Sequence, residues 1–239
     1  MDLIMVTYNS RRFLPDFFTS LSKNTSYPFR LIVIDNHSTD RSQDYLSRIS
    51  RTHPLRRHLK LVHNPKNLGL AKAWNQGISL CASNYLVFLN PDIILTPGWL
   101  EQLVDCAKRQ PQAAVVGAKI LSYNQIITHA GFLNQIVLGR GQPAGTYLSN
   151  SEIEVDGIHG CCFLVKRAFL QAYGAFDERF FLYAEEDDLC ARVKKTGHQV
   201  ILCPVPIYHY GAGSAVSPKR RAQYHQASLE KFKEKWNQV

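Results

Sequence analysis

Five mostly apolar runs, each followed by a stretch with helical spacing, fill the first half of this 239-residue chain. They are "LIMV" at 3–6, "FRLIVID" at 29–35, "KLVH" at 60–63, "YLVFL" at 85–89 and "AAVVGAKI" at 113–120. A strand with no polar face is covered on both sides. Between the runs, apolar residues recur near i, i+3, i+4 and i+7. They are Leu14, Phe17, Phe18 and Leu21; Tyr45, Leu46 and Ile49; Leu70, Trp74, Ile78 and Cys81; and Leu100, Leu103, Val104 and Ala107. Pro15 and Thr96-Pro97 suit first helical turns, and "NHSTD" at 36–40 offers N-caps. The alternation predicts an α/β fold: a Rossmann-like, mainly parallel sheet with helices on both faces.

In such sheets ligands bind beyond the carboxyl ends of the strands. Thr7 and Tyr8 follow the first strand, Asp35 ends the second, Asn67 lies after the third and Asp92 after the fourth. One such residue is explained as a cap or a turn. Four in succession point to a shared cleft. The fourth strand ends in Asn90-Pro91-Asp92, and Pro91 limits how the carboxylate is presented by fixing φ and removing a donor. A carboxylate there is a hard oxygen ligand suited to Mg2+ or Mn2+, with substrate phosphates completing the shell; the plainer alternative is a helix-capping Asp. His209, in "IYHYGAGS", follows a strand and opens a Gly-rich turn. A lone histidine is more often structural, but an imidazole there would complete the shell of a metal on Asp92.

"AEEDDLCAR" places Glu185, Glu186, Asp187 and Asp188 at a helix start, where the macrodipole favours negative charge. Glu186, Leu189, Cys190 and Val193 share helical spacing, so Glu186 heads the inward stripe, while Asp188 and Arg192 are spaced for a surface ion pair. An inward carboxylate at a cleft is what a general base requires. In "HNPKNLGLAKAWNQG", Asn67 and Gly69 precede a helix N-terminus able to receive a phosphate or a base, and Lys72 adds a positive charge near a diphosphate.

After residue 120 the pattern changes. Residues 121–160 read as hairpins or loops that lead into His159, Gly160 and Cys161. "CCFLVKR" and "QVILCP" read as strands, and "AFLQAYG" as a short helix ended by Gly174. Beyond Pro218 a basic helix carries Tyr224, Leu229, Phe232 and Trp236. The net charge of +9 suits an anionic membrane surface or an anionic small substrate; no nucleic-acid motif accompanies it. The basic tail with Trp236 is the part expected on the membrane. Six cysteines without a C-x-x-C pair read as buried free thiols in a reducing cytosol. No run of about 18 apolar residues spans a bilayer, and "MDLIMVTYNS" reads as a first core strand, not a signal peptide.

"VTYNS", "VIDNHSTD", "NLGLAKAWNQGI", "FLNPD", "GCCFLVKR", "GAFDERFFLYAEEDDLCAR" and "HYGAGS" resemble, in this order, segments of the family 2 glycosyltransferases of the GT-A fold, above all their bacterial rhamnosyltransferase-like branch. The resemblance implies one GT-A domain over 1–214: a nucleotide-sugar half (1–120), an acceptor half (121–214) with a small acceptor-side extension, and a basic tail (215–239). It implies inverting transfer from a nucleotide-diphosphate sugar to a saccharide or lipid-linked saccharide, with a divalent metal, in cell-surface polysaccharide synthesis at the inner face of the membrane. Thr7, Tyr8, Asp35, Asn67, Gly69, Lys72 and Asn90 fall on its nucleotide side, with Asp35 near the base or ribose. Asp92 and His209 match its metal ligands. Glu186 matches its catalytic base, and Asp187, standing where an apolar residue is usual, is the alternative. Asn90 replaces the first acid of the metal motif, which suggests a second reading, a binding module without turnover. A sugar nucleotidyltransferase would carry a Gly-rich loop where this chain has "VTYNSRRF".

Overall fold

β1 (Asp2–Thr7), α1 (Leu14–Asn24), β2 (Arg30–Asp35), α2 (Ser42–Thr52), β3 (Leu59–His63), α3 (Leu70–Ser79), β4 (Tyr85–Leu89), β5 (Ile93–Ile94), α4 (Trp99–Arg109) and β6 (Ala113–Leu121) follow one another in the computed structural model, which describes residues 1–145, 151–211 and 216–236. The second half adds β7 (Ile127–His129), β8 (Phe132–Leu133), β9 (Ile136–Val137), β10 (Ile153–Glu154), β11 (Cys162–Lys166), α5 (Arg167–Tyr173), α6 (Glu185–Lys195), β12 (Gln199–His209) and α7 (Pro218–Trp236). α4 starts at Trp99, two residues beyond Pro97, with Gly98 as its N-cap, and the Thr96 hydroxyl donates to Pro206 O at 2.7 Å instead of capping the helix.

The main sheet runs β10-β12-β6-β11-β4-β1-β2-β3. β3, β2, β1 and β4 are parallel, so Thr7 stands beside Asp35 and Asp35 beside His63 at one edge. β11 enters antiparallel between β4 and β6, with Cys162 opposite Leu89. The residues before β11 therefore lie just beyond the carboxyl end of β4. β12 runs parallel to β6, shifts register between Cys203 and Pro206, and ends with His209 paired to Ile93 of β5. That shift, at a Pro-x-Pro where ladder donors are missing, carries the end of β12 across the sheet edge.

Each sheet face is covered. α1, α2 and α4 pack Phe17, Leu46 and Leu103 on one side. On the other, Trp74 of α3 meets Phe88, Phe163 and Phe176 with ring centroids 4.7–5.6 Å away. The six cysteines are free and buried.

One expectation is corrected. Asp188 and Arg192 do pair, at 3.1 Å, but not at the surface: Asp188 is fully buried, with Lys235 and Trp236 of α7 also bound to it. Trp236, expected on a membrane, is half-buried and donates its Nε1–H to Asp188 at 3.0 Å. Among the described residues no helix is long and apolar enough to cross a bilayer.

Candidate active site

The end of β4 and the end of β12 meet because His209 pairs with Ile93 and the Tyr210 N–H donates to Asp92 O at 3.0 Å. The side chains follow: Asp92 Oδ2 lies 3.2 Å from His209 Nε2. Both line a cleft of about 750 Å³ beyond the strand ends. The His159 ring sits 5.1 Å from that of His209, and its Nδ1 accepts the Cys161 N–H at 3.2 Å. Ligand atoms of His159, Cys161 and His209 lie within 4.8 Å of one another. Burial, with the two neighbouring imidazoles, pushes His159 down to about 3, and burial pushes the Cys161 thiol up. Cys161 would have to give up its thiol proton to join a metal shell. A carboxylate oxygen and an imidazole nitrogen converging here make a mixed donor set that fits a divalent cation such as Mn2+, and Mg2+ through the carboxylate.

α6 enters the cleft through two left-handed residues, Tyr183 (φ 73°) and Ala184 (φ 66°). Each non-glycine residue held there costs roughly 1–2 kcal/mol. The bend delivers Glu185 and Glu186 to the cleft wall. Glu186 Oε1 accepts the Gly160 N–H at 3.1 Å, and its Oε2 is buried with no hydrogen-bond partner among the described residues. Burial, and then the charge of Asp187, push Glu186 up to about 8. Glu185 is pushed well above the carboxylate range by burial and by Glu186. Asp187 does not line the cleft; burial raises it and the charge of His225 opposes the rise.

Gly160 has no room for a side chain, since a Cβ there would stand 2.5 Å from Glu186 Oε1. Gly160→Ala is therefore expected to leave the fold intact, because only a carboxylate tip must move. The move costs the hydrogen bond that aims Glu186. Any proton transfer that Glu186 serves should slow at least about ten-fold, a loss that steady-state kinetics reads directly.

Residues 2–174 match the family model of glycosyl transferase family 2. The chain belongs to that family. The family 2 chain is 28% identical to N-acetylglucosaminyl-diphospho-decaprenol L-rhamnosyltransferase of Mycobacterium tuberculosis, over 90% of its own length and 77% of the relative. GalNAc-T7 with UDP, GalNAc and Mn2+ superposes with a TM-score of 0.71 at 16% identity, over 87% of this chain and 43% of the other. The mannosyltransferase PcManGT from Pyrobaculum calidifontis, with GDP-Man and Mn2+, gives 0.67 at 20% identity, over 97% and 63%. This glycosyl transferase spans less than two thirds of either solved chain. The shared fold is GT-A, and it carries the expected α/β architecture. Glu186, His209 and α7 lie beyond the matched range.

Of the residues expected to meet a nucleotide in this transferase, Tyr8, Asn67, Gly69 and Asn90 line the cleft. Gly69 adopts φ 84°, and a Cβ there would lie 2.8 Å from both the ring and the carbonyl of Phe181. That carbonyl accepts the Leu70 N–H at 2.7 Å, so the first donor of α3 is already engaged. Lys72 turns outward to Glu178 at 3.4 Å and does not line the cleft. Thr7 and Asp35 stand behind the wall, buried, with Thr7 Oγ1 and Asp35 Oδ1 unpartnered among the described residues. Asp35 Oδ2 takes Gln43 Nε2 at 2.7 Å and the Ser38 N–H at 3.3 Å.

Sequence reasoning missed several lining residues. Asn36 bonds Asn67 Oδ1 at 2.9 Å and Gly69 O at 3.1 Å, and accepts from Asn64 and the Leu68 N–H at 3.0 Å. It shapes the loop that walls the cleft, yet in "NHSTD" it reads as one more cap. Arg220, Arg221 and Tyr224 of α7 also line the cleft. The sequence signalled the arginines only through the basic charge of the tail, and Tyr224 only as one of its aromatic residues.

Proposed function

We propose that the chain is an inverting, metal-dependent glycosyltransferase. It moves a sugar from a nucleotide-diphosphate sugar to a hydroxyl of a lipid-linked saccharide during cell-surface polysaccharide synthesis. The observation that carries this reading is one cleft with two chemically different ends: the Asp92–His209 pair, and a half-buried Glu186 whose Oε2 is buried without a partner among the described residues. Asp92 and His209 would hold the cation, which when bound supplies charge neutralisation for the departing diphosphate. The Asn36–Asn67–Gly69 wall and Tyr8 would seat the nucleoside, with Thr7 and Asp35 behind it. Glu186 Oε2 takes the acceptor's proton as its oxygen attacks the anomeric carbon. The bond to the diphosphate breaks on the far side, so one displacement inverts that carbon. The raised affinity of Glu186 for a proton suits a base that must remove one from a hydroxyl.

The relative named for a decaprenol-linked acceptor supports the lipid-linked class, and work at the inner membrane face as a peripheral protein follows from that class. Asn90, in place of a second metal-binding acid, suggests the rival reading of a binding module. A binding module gains nothing from a buried, unpartnered carboxylate aimed into its cleft.

Thermal melts with UDP, GDP and dTDP, each with and without Mn2+, test the donor end. One diphosphate with Mn2+ should raise the melting temperature by about 5–10 °C when near-saturating, as about 2.7 kcal/mol of linkage does for a chain of this size. Asp92→Asn should abolish the shift. An equal shift in that variant, or one indifferent to metal, would count against the metal assignment.

A further inference from the structure

We propose that Arg220 and Arg221 clamp the donor's diphosphate, and that α7 is a working wall of the active site rather than an appended tail. This rests on the donor class proposed above.

Outside α7 the lining holds Asp92, Glu185 and Glu186 but no lysine or arginine. A diphosphate carries more negative charge than one divalent cation already shared with the Asp92 carboxylate neutralises. The other sources of positive charge are engaged elsewhere. Lys72 is turned out to Glu178, and the Leu70 N–H at the start of α3 is held by Phe181 O. Arg220 and Arg221 are the lining residues that are permanently cationic, and neither guanidinium has a carboxylate partner among the described residues. Guanidinium forks match phosphate oxygens.

α7 is held so that these two side chains stay at the cleft. Arg221, Tyr224, Ser228, Lys231 and Lys235 fall at i, i+3, i+7, i+10 and i+14, one stripe along a 19-residue helix about 28 Å long. The far part of that stripe is fastened to the body. Ser228 Oγ donates to Leu182 O at 2.8 Å and Lys231 Nζ to Arg179 O at 2.7 Å. Lys235 bridges Asp177 at 2.8 Å and Asp188 at 2.6 Å. Nearer the cleft, Arg220 lies 5.9 Å over the Tyr224 ring, and Tyr224 packs 4.9 Å from Phe181. Phe181 is also the residue that seats Gly69 and Leu70. The clamp and the nucleotide wall are thus built on one contact.

The test measures dissociation constants for UDP, GDP and dTDP with Mn2+, by calorimetry, in the full chain and its variants. Arg220→Gln with Arg221→Gln is expected to weaken the bound diphosphate roughly ten- to hundred-fold. It should weaken the matching monophosphate much less and leave the melting temperature unchanged, since neither side chain holds the fold. The double lysine variant should recover part of the loss. Lys235→Met, far from the cleft, should raise the diphosphate dissociation constant and donor KM while sparing kcat. Equal diphosphate affinity in the double glutamine variant would overturn the clamp and leave the donor class standing. Unchanged binding in Lys235→Met would overturn the positioning role of the latch. A parent chain that bound no diphosphate would remove the donor class, and the clamp with it.

Discussion

Glu186→Gln is expected to lower sugar transfer about 10²- to 10⁴-fold, the usual contribution of a positioned base, and yet to melt higher than the parent at pH 8. Both effects come from the same buried carboxyl. The folded chain holds the Glu186 proton up to about pH 8, whereas the unfolded chain releases it near the ordinary 4.5. Between those values the folded state binds more protons than the unfolded one, so stability falls as pH rises. Below the lower value there is no cost. Above the upper one it is complete, on the order of a few kcal/mol at about 1.4 kcal/mol per unit. Glutamine keeps an acceptor for the Gly160 N–H and carries no charge, so the gain in melting temperature should appear at pH 8 and vanish near pH 5. Asp187→Asn is the control. Its side chain lies off the cleft, so transfer should persist, and because its charge helps raise Glu186, the rising limb of the pH–rate profile should move to lower pH. Full activity in the first variant and none in the second would reassign the base to Asp187.

The parts of the site legible in the sequence are those set by local rules. A buried strand that stops at Asn-Pro-Asp presents Asp92 at the sheet edge wherever the neighbouring strands lie. A helix with Glu186 three and four residues before Leu189 and Cys190 turns that carboxyl inward whatever it meets there. Strand order is not local. Nothing in "CCFLVKR" says that it enters between β4 and β6, and only that insertion brings His159 and Gly160 to the site. Asn36 was hidden for a different reason, since Asn, His, Ser and Asp after a strand satisfy every criterion for a turn. α7 was legible as a basic helix, but its docking was not, because the stripe that makes the contacts is mostly polar. Arg221, Ser228, Lys231 and Lys235 with the single aromatic Tyr224 leave no apolar period, and a polar stripe that docks looks in sequence like one that is solvated.

Asp188→Ala is expected to destabilise the chain by about 3–5 kcal/mol, because it strands charges that cannot leave. Asp188 is fully buried and serves three donors: Arg192 Nε at 3.1 Å, Lys235 Nζ at 2.6 Å and Trp236 Nε1 at 3.0 Å. Arg192 is kept from swinging to water, since three of its four remaining N–H groups are tied to the carbonyls of Tyr173, Gly174 and Ala175 at 2.8–3.1 Å. Without the carboxylate its guanidinium stays in place, held only by neutral oxygens. Lys235 keeps Asp177, but Trp236 loses its acceptor and the end of α7 loses its anchor. Asp188→Asn retains an acceptor oxygen and should cost less. Urea melts give the free energies, and hydrogen exchange along residues 218–236 tells where the loss falls. In Asp188→Asn, faster exchange should be confined to α7, with the protection of β1, β4 and β11 unchanged. If α7 keeps its protection in both variants while the whole sheet loosens evenly, Asp188 is a core ion pair and not the anchor of that helix.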